Sequence, residues 1–222
     1  VDLTLWKYLW NSSGTGALSP DSSLSFTYSF NLNGTEYYQH MRGCRPTSGT
    51  LSVSRGMWDQ TMTFICKDIT VPATSTGDGG TPVYQSAETS SSPIVHSDGG
   101  GSPFTYNSIS YGERSFSTTV NRNMAVMAVN GENDITYTKA TDRAITFTAD
   151  VFSGTASSET ALYTLYESKD ADAATYKFNS SGPVTLTYAN CVITDYAYTH
   201  AAGSADALIE SITCRAESCT NL

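Results

Sequence analysis

Ten consecutive residues constrain the backbone of this chain more than any other feature. Leu24, Phe26, Tyr28, Phe30 and Leu32 alternate with Ser25, Thr27, Ser29, Asn31 and Asn33. Successive side chains of an extended strand point to opposite faces, whereas a helix would scatter the five apolar groups around its circumference. This stretch is therefore a strand with one greasy face and one wet face. Asn33-Gly34 supplies residues that tolerate positive φ, so a tight turn follows and Thr35 to Met41 returns as the second strand of a hairpin.

The same period of two recurs along the chain. Leu51 and Val53 alternate with Ser52 and Ser54, and Met62, Phe64 and Cys66 with Thr61, Thr63 and Ile65. Phe116, Thr118 and Val120 alternate with Ser117, Thr119 and Asn121, and Ile145 and Phe147 with Thr146 and Thr148. Further strands are expected around Phe104 and Tyr106, at Ile135 and Tyr137, over Val184–Tyr188 and Val192–Tyr198, and over Ala207–Thr213. One segment departs. Ser157-Ser158-Glu159 reads as a helix cap, and Leu162, Leu165 and Tyr166 follow at helical spacing, which predicts a helix over about 158–170 with those three facing a sheet. The expected fold class is all-β with one short helix, an antiparallel β-sandwich or tube domain.

From Val71 to Gly101 the periodicity disappears among Gly, Pro, Ser and Thr, which marks a long exposed loop. It divides the chain into a first β domain over 1–100, carrying the loop, and a second over 101–222, carrying the helix. The strands LSFTYSF (24–30) and TMTFICKDI (61–69) are echoed by RSFSTTV (114–120) and AITFTADVF (144–152), so a tandem duplication is expected.

Composition removes several functions. The 222 residues carry 21 acidic against 12 basic side chains, a formal net charge of -9. Such a chain repels phosphate, so a nucleic-acid-binding module is excluded. No apolar run reaches the length of a membrane span, and the opening VDLTLWKYLW lacks the basic start and long apolar stretch of a signal peptide. Asn-x-Ser/Thr triplets at Asn11, Asn33 and Asn179 are what a chain rich in Ser and Thr produces by accident.

The five cysteines, Cys44, Cys66, Cys191, Cys214 and Cys219, show no CxxC and no regular spacing. No disulfide framework or zinc knuckle is expected from them. Cys66 and Cys191 sit in strand patterns and read as buried thiols, while Cys214 and Cys219 are close enough to pair across a short loop. His40 and Cys44 lie in a turn-like context with no third orienting group, so they read as a surface histidine beside a buried thiol. His96 and His200 read as solvated. The scattered carboxylates form no calcium loop, and GxGxxG, P-loop, GxSxG and HExxH motifs are absent. No catalytic residue, metal or cofactor is expected.

The run from Ser23 to Ile69, with its strand, hairpin and Gly43-Cys44-Arg45 turn, resembles the first half of tail tube (major tail) proteins of long-tailed, non-contractile bacteriophages. Pro46 departs from the Gly usual in that turn. The second half, from Phe116 through Asn121-Arg122-Asn123 to Asp142-Arg143 and Ile145-Thr146-Phe147, is similar to the family's second strand set, so the likeness spans roughly 21–152. It implies a structural virion protein, assembled in the host cytoplasm, that polymerises as stacked rings of six tube domains. Six chains would supply these, or three chains carrying two domains each. Sheets would join between subunits into a β-barrel channel for the genome, with other tail proteins as further partners and DNA passing without specific binding.

A DNA conduit should not grip DNA, since each Lys or Arg contact to phosphate would act as a brake. The uncharged faces therefore become lumen candidates: Ser25, Thr27, Ser29, Thr61, Thr63, Ser117, Thr119, Thr146 and Thr148, with Asp150 nearby. Contacts between rings or subunits are expected from the sticky segments bearing Trp6, Trp10, Val83, Tyr84, Ile94 and Val95. The competing reading is a secreted carbohydrate-binding or adhesin β-sandwich with Trp6, Trp10 or Trp58 stacked on sugars. A small hydrolase comes third.

Overall fold

The structure, a computed structural model, describes residues 24–54, 57–74, 103–128, 135–152, 161–177, 185–199 and 209–220. Its strands are β1 (Leu24–Leu32), β2 (Thr35–Ser54), β3 (Met57–Ile65), β4 (Asp68–Ile69), β5 (Phe104–Tyr106), β6 (Ile109–Ala128), β7 (Ile135–Phe152), β8 (Asp172–Lys177), β9 (Thr185–Thr199), β10 (Ile209–Ala216) and β11 (Ser218–Thr220). A single helix among the described residues, α1 (Ala161–Ser168), lies between β7 and β8. The all-β expectation with one short helix holds. The helix ends at Ser168, two residues before the expected end, and its capping segment and the loop after residue 74 fall outside the described residues.

Antiparallel pairing runs β6–β5–β8–β9–β10–β7 and returns from β7 to β6, so part of the sheet closes into a ring. β2 joins β6 on the outside of this ring, and β1, β3 and β4 all pair with β2. The first and second halves of the chain thus meet directly in one sheet. The tight turn is where the sequence places it: Asn33 and Gly34 have φ of 53° and 82°, and the Gly34 amide donates to Asn31 Oδ1 at 2.9 Å.

Several strands run longer than their sequence suggests, β2 and β9 among them. β2 continues from the β1 hairpin through Gly43 and Pro46 into the barrel sheet, because Gly43 adopts φ of 60° and an extra residue between Pro46 and Ser48 absorbs the bend as a bulge. A Cβ at Gly43 would stand 2.9 Å from Lys67 Cβ, so neither the conformation nor the space admits another side chain. β9 likewise unites the two predicted strands at 184–188 and 192–198, passing through Asn190 at φ of 50°.

Inside the ring, alternate residues pack an aromatic core. Phe104, Phe116, Phe147, Tyr106, Tyr111, Tyr176 and Tyr188 are all essentially sealed from solvent. Phe116 stacks on Tyr176 with ring centroids 4.1 Å apart, and Phe147 meets Tyr188 at 4.7 Å. Buried tyrosines need partners for their hydroxyls, and Tyr106 finds one by donating to the Cys191 carbonyl oxygen at 2.8 Å. Leu162 and Leu165 of α1 close one side, while Tyr166 stacks on Tyr196 of β9.

The cysteines correct the sequence reading. Cys44 and Cys66 form a disulfide, so Cys66 is no free thiol. The cause is register: Arg45 pairs with Ile65, which sets the two preceding and following cysteines opposite each other across β2 and β3. Cys214 and Cys219 do not pair. Each is a buried thiol outside any disulfide, across from Ile193 and Tyr188 respectively. With the bonded cysteines 22 positions apart in sequence, reduction is expected to lower stability by about 3 kcal/mol. Denaturant titrations with and without a reductant measure this, and Cys44→Ser with Cys66→Ser should abolish the difference.

Candidate functional site

The residues that face away from the core on β3, β2, β6, β7 and β10 form one continuous polar surface. Strand register lines them up in rows. Thr61, Thr50, Thr119, Thr146 and Arg215 make one row, and Asp59, Ser52, Ser117, Thr148 and Thr213 the next, ending opposite Asp195 of β9. A third row brings Ser115, Asp150 and Ser211 together, and a fourth sets Thr63 beside Ser48 and Asn121. Within these four rows the strands present hydroxyls, amides and a few charges, while the alternate residues turn to the core.

Hydrogen bonds hold the rows in place. Thr50 Oγ1 and Thr119 Oγ1 lie 3.0 Å apart. Ser115 and Ser211 donate to the two carboxylate oxygens of Asp150 at 2.7 and 2.6 Å, so one acid ties β6 to β10 across β7. The face is short of positive charge: Asp59, Asp150 and Asp195 stand against Arg215.

Of the sequence candidates, Thr61, Thr63, Ser117, Thr119, Thr146, Thr148 and Asp150 come together here. Ser25, Thr27 and Ser29 do not join them, because β1 pairs with the part of β2 that lies beyond the barrel. Thr27 instead sits 3.0 Å from His40 Nδ1. Trp6, Trp10, Val83, Tyr84, Ile94 and Val95 fall outside the described residues. Sequence reasoning missed Thr50, Ser52, Ser115, Ser211 and Thr213. The Ser52–Leu51 alternation was a usable signal for one of them, but for the rest only the strand register assigns the row.

A second polar group lies within the barrel, near one end. Glu113 and Glu210 flank buried Val151 in one cross-strand row. Glu210 is fully buried and accepts a hydrogen bond from the Tyr196 hydroxyl at 2.6 Å. Burial pushes the Glu113 carboxyl up to about 7, partly offset by a hydrogen bond with Tyr176. Folded protein therefore holds this proton more tightly than unfolded protein. Stability should fall as pH rises from the ordinary carboxylate range through about 7, and the loss approaches about 3 kcal/mol above it. Glu113→Gln should flatten that decline in melting curves taken between pH 5 and pH 8.

No metal-ligating group of three or more His, Cys, Asp or Glu exists among the described residues. The family model described as phage tail tube protein matches residues 4–216. The chain belongs to the phage tail tube protein family. Its role is structural, as a component of a phage tail, and the polar face belongs to a tail tube protein. No curated protein matches the sequence. Among solved structures, the chain is similar to one from the virion of a native gene transfer agent particle, with TM-score 0.39 and 8% identity over 49% of this chain and 84% of that one. It is also similar to a chain of the anti-feeding prophage baseplate, with TM-score 0.39 and 17% identity over 54% of this chain and 89% of that one. In a tail tube protein the rival adhesin reading is not favoured.

Proposed function

We propose that this tail tube protein forms the wall of a genome conduit, with the hydroxyl rows of β3, β2, β6, β7 and β10 lining the channel. The observation that carries this is the continuous polar face, in which threonine and serine hydroxyls outnumber charges and acids outnumber bases. DNA gains nothing by binding such a wall: the hydroxyls stay hydrated, and the carboxylates repel phosphate. The chain acts without catalysis, and no step needs a cofactor.

Copies of the chain join laterally into rings of six tube domains, six single-domain chains or three two-domain chains, and the rings assemble in the host cytoplasm with other tail proteins. β3 supports lateral joining, since among the described residues it pairs only with β2 and leaves its other backbone edge open beside the polar rows. An open edge is a template for another strand, and closing the sheet around a channel removes it. Negative-stain imaging of purified protein tests the reading. Hollow tubes with ring striations are expected, and a compact particle that never self-associates would overturn it.

A further inference from the structure

β2 runs unbroken from the barrel sheet into the β1–β2 hairpin, and it exchanges both neighbours on the way. At Ser48 it lies between β3 and β6, and at Met41 between β1 and β4. The interval between these points is the root of the hairpin, and no flanking strand among the described residues spans it. Gly43, at φ of 60°, and the bulge between Pro46 and Ser48 both fall inside it. Regular pairing is interrupted there, so the root is the place where the hairpin can swing relative to the barrel.

A second stretch of chain crosses the same interval beside β2. It is Cys66-Lys67, the two-residue link between β3 and β4. The Lys67 amide donates to the Arg42 carbonyl oxygen at 2.9 Å, and Arg42 meets Asp68 across 3.9 Å in an exposed ion pair. Phe26 of β1 packs edge-on against Phe64 of β3 at 4.9 Å. Exposed pairs of this kind hold little, whereas the Cys44–Cys66 bond fastens the link to the root covalently. Its position is selective as well. Cys66 is partly exposed, while Cys191, Cys214 and Cys219 are buried outside any disulfide, so a dissolved oxidant meets Cys66 before the other thiols.

Resting on the tail tube reading and its assembly in a cytoplasm, we infer that Cys44 and Cys66 are a redox latch at the root of the β1–β2 hairpin, open as two thiols where the chain is made and closed once the tail meets an oxidising medium. A cytoplasm keeps thiols reduced, and disulfides persist outside it. A small-molecule disulfide is a sufficient oxidant. The Cys66 thiolate attacks one of its sulfurs, releasing one thiol and forming a mixed disulfide. The Cys44 thiolate then attacks Cys66 Sγ and expels the second thiol. The protein gives up two protons and two electrons, and the oxidant leaves as two thiols. An open latch lets the hairpin adjust while copies are added, and closure fixes its angle to the barrel.

Thiol trapping and hydrogen exchange test the latch. Producing cells quenched in acid and treated with N-ethylmaleimide are expected to yield both cysteines alkylated, and purified protein treated with oxidised glutathione to yield the joined peptides. A bond already closed in the quenched cells would overturn the latch. In the full chain labelled for minutes, the Lys67 and Thr70 amides, which donate to β2 carbonyl oxygens, are expected to exchange roughly tenfold faster after reduction. Cys44→Ser with Cys66→Ser should show the fast rate with or without oxidant. Equal rates in the two redox states would overturn the latch. So would fast exchange that reaches Phe116 and Phe147 in the core, since that is general unfolding and no local hinge. These measurements use unassembled protein, so tubes seen beside a failed latch leave the tube reading standing. Redox-dependent exchange in protein that never forms tubes would overturn the tube reading and the assembly role of the latch with it.

Discussion

Tubes assembled from a chain bearing Thr61→Lys, Thr119→Lys, Thr146→Lys and Thr148→Lys are expected to retain DNA instead of passing it. The four positions occupy two adjacent rows of the polar face, so their ammonium groups would form a patch repeated around the channel in every ring. Each phosphate so neutralised steepens the salt dependence of binding by about 0.9 in the slope of log K against log salt for B-DNA. Repetition along the tube multiplies a weak grip into an arrest. Genome ejection from particles carrying the variant should therefore be slow at low salt and recover as salt rises, while the wild type changes little. Gln at the same positions supplies bulk without charge and should eject normally. Undiminished ejection of the Lys variant at low salt would show that these rows are not the channel wall.

The second large effect lies in the core. Phe116→Ala removes a ring that stacks on Tyr176 at 4.1 Å and also touches Phe104 and Phe147 with centroids about 6 Å away. Truncation of a buried Phe costs about 3–5 kcal/mol, a large share of the roughly 5–15 kcal/mol that holds a domain folded. β6, which carries Phe116, pairs with β2, β5 and β7, so the loss falls where the outer sheet and the closed ring meet. Chemical denaturation of the soluble variant should show a midpoint shift of that size, and the variant should fail to enter tubes. The same truncation at exposed Tyr198 should leave the midpoint nearly unchanged, since its ring already meets water.

Much of this was legible in the residues, because strand periodicity is a local property. The alternation of Leu24 to Asn33, the Asn33-Gly34 turn, and the split of Phe116 and Val120 from Ser117 and Thr119 all follow from the geometry of one extended segment. Which strands lie side by side is not local. The rows that unite Thr61 with Thr146 depend on register across several strands, and that register depends on bulges such as the one between Pro46 and Ser48. The Cys44–Cys66 bond was hidden for the same reason: spacing says nothing until the hairpin is folded around its bulge. Thr118 illustrates the opposite limit. It alternates in phase with Phe116 and Val120 and is fully buried with them, its hydroxyl donating to the Thr146 carbonyl oxygen at 3.2 Å.

The return of β7 to β6 has a mechanical consequence. Where the ring closes, each of its strands is paired with a neighbour on both flanks over part of its length, which leaves that part no loose side from which to be unzipped one bond at a time. Tension applied along the strands shears many inter-strand bonds at once, each worth about 1 kcal/mol on its own. A filament made of such units can flex at the seams between them while every unit keeps its shape.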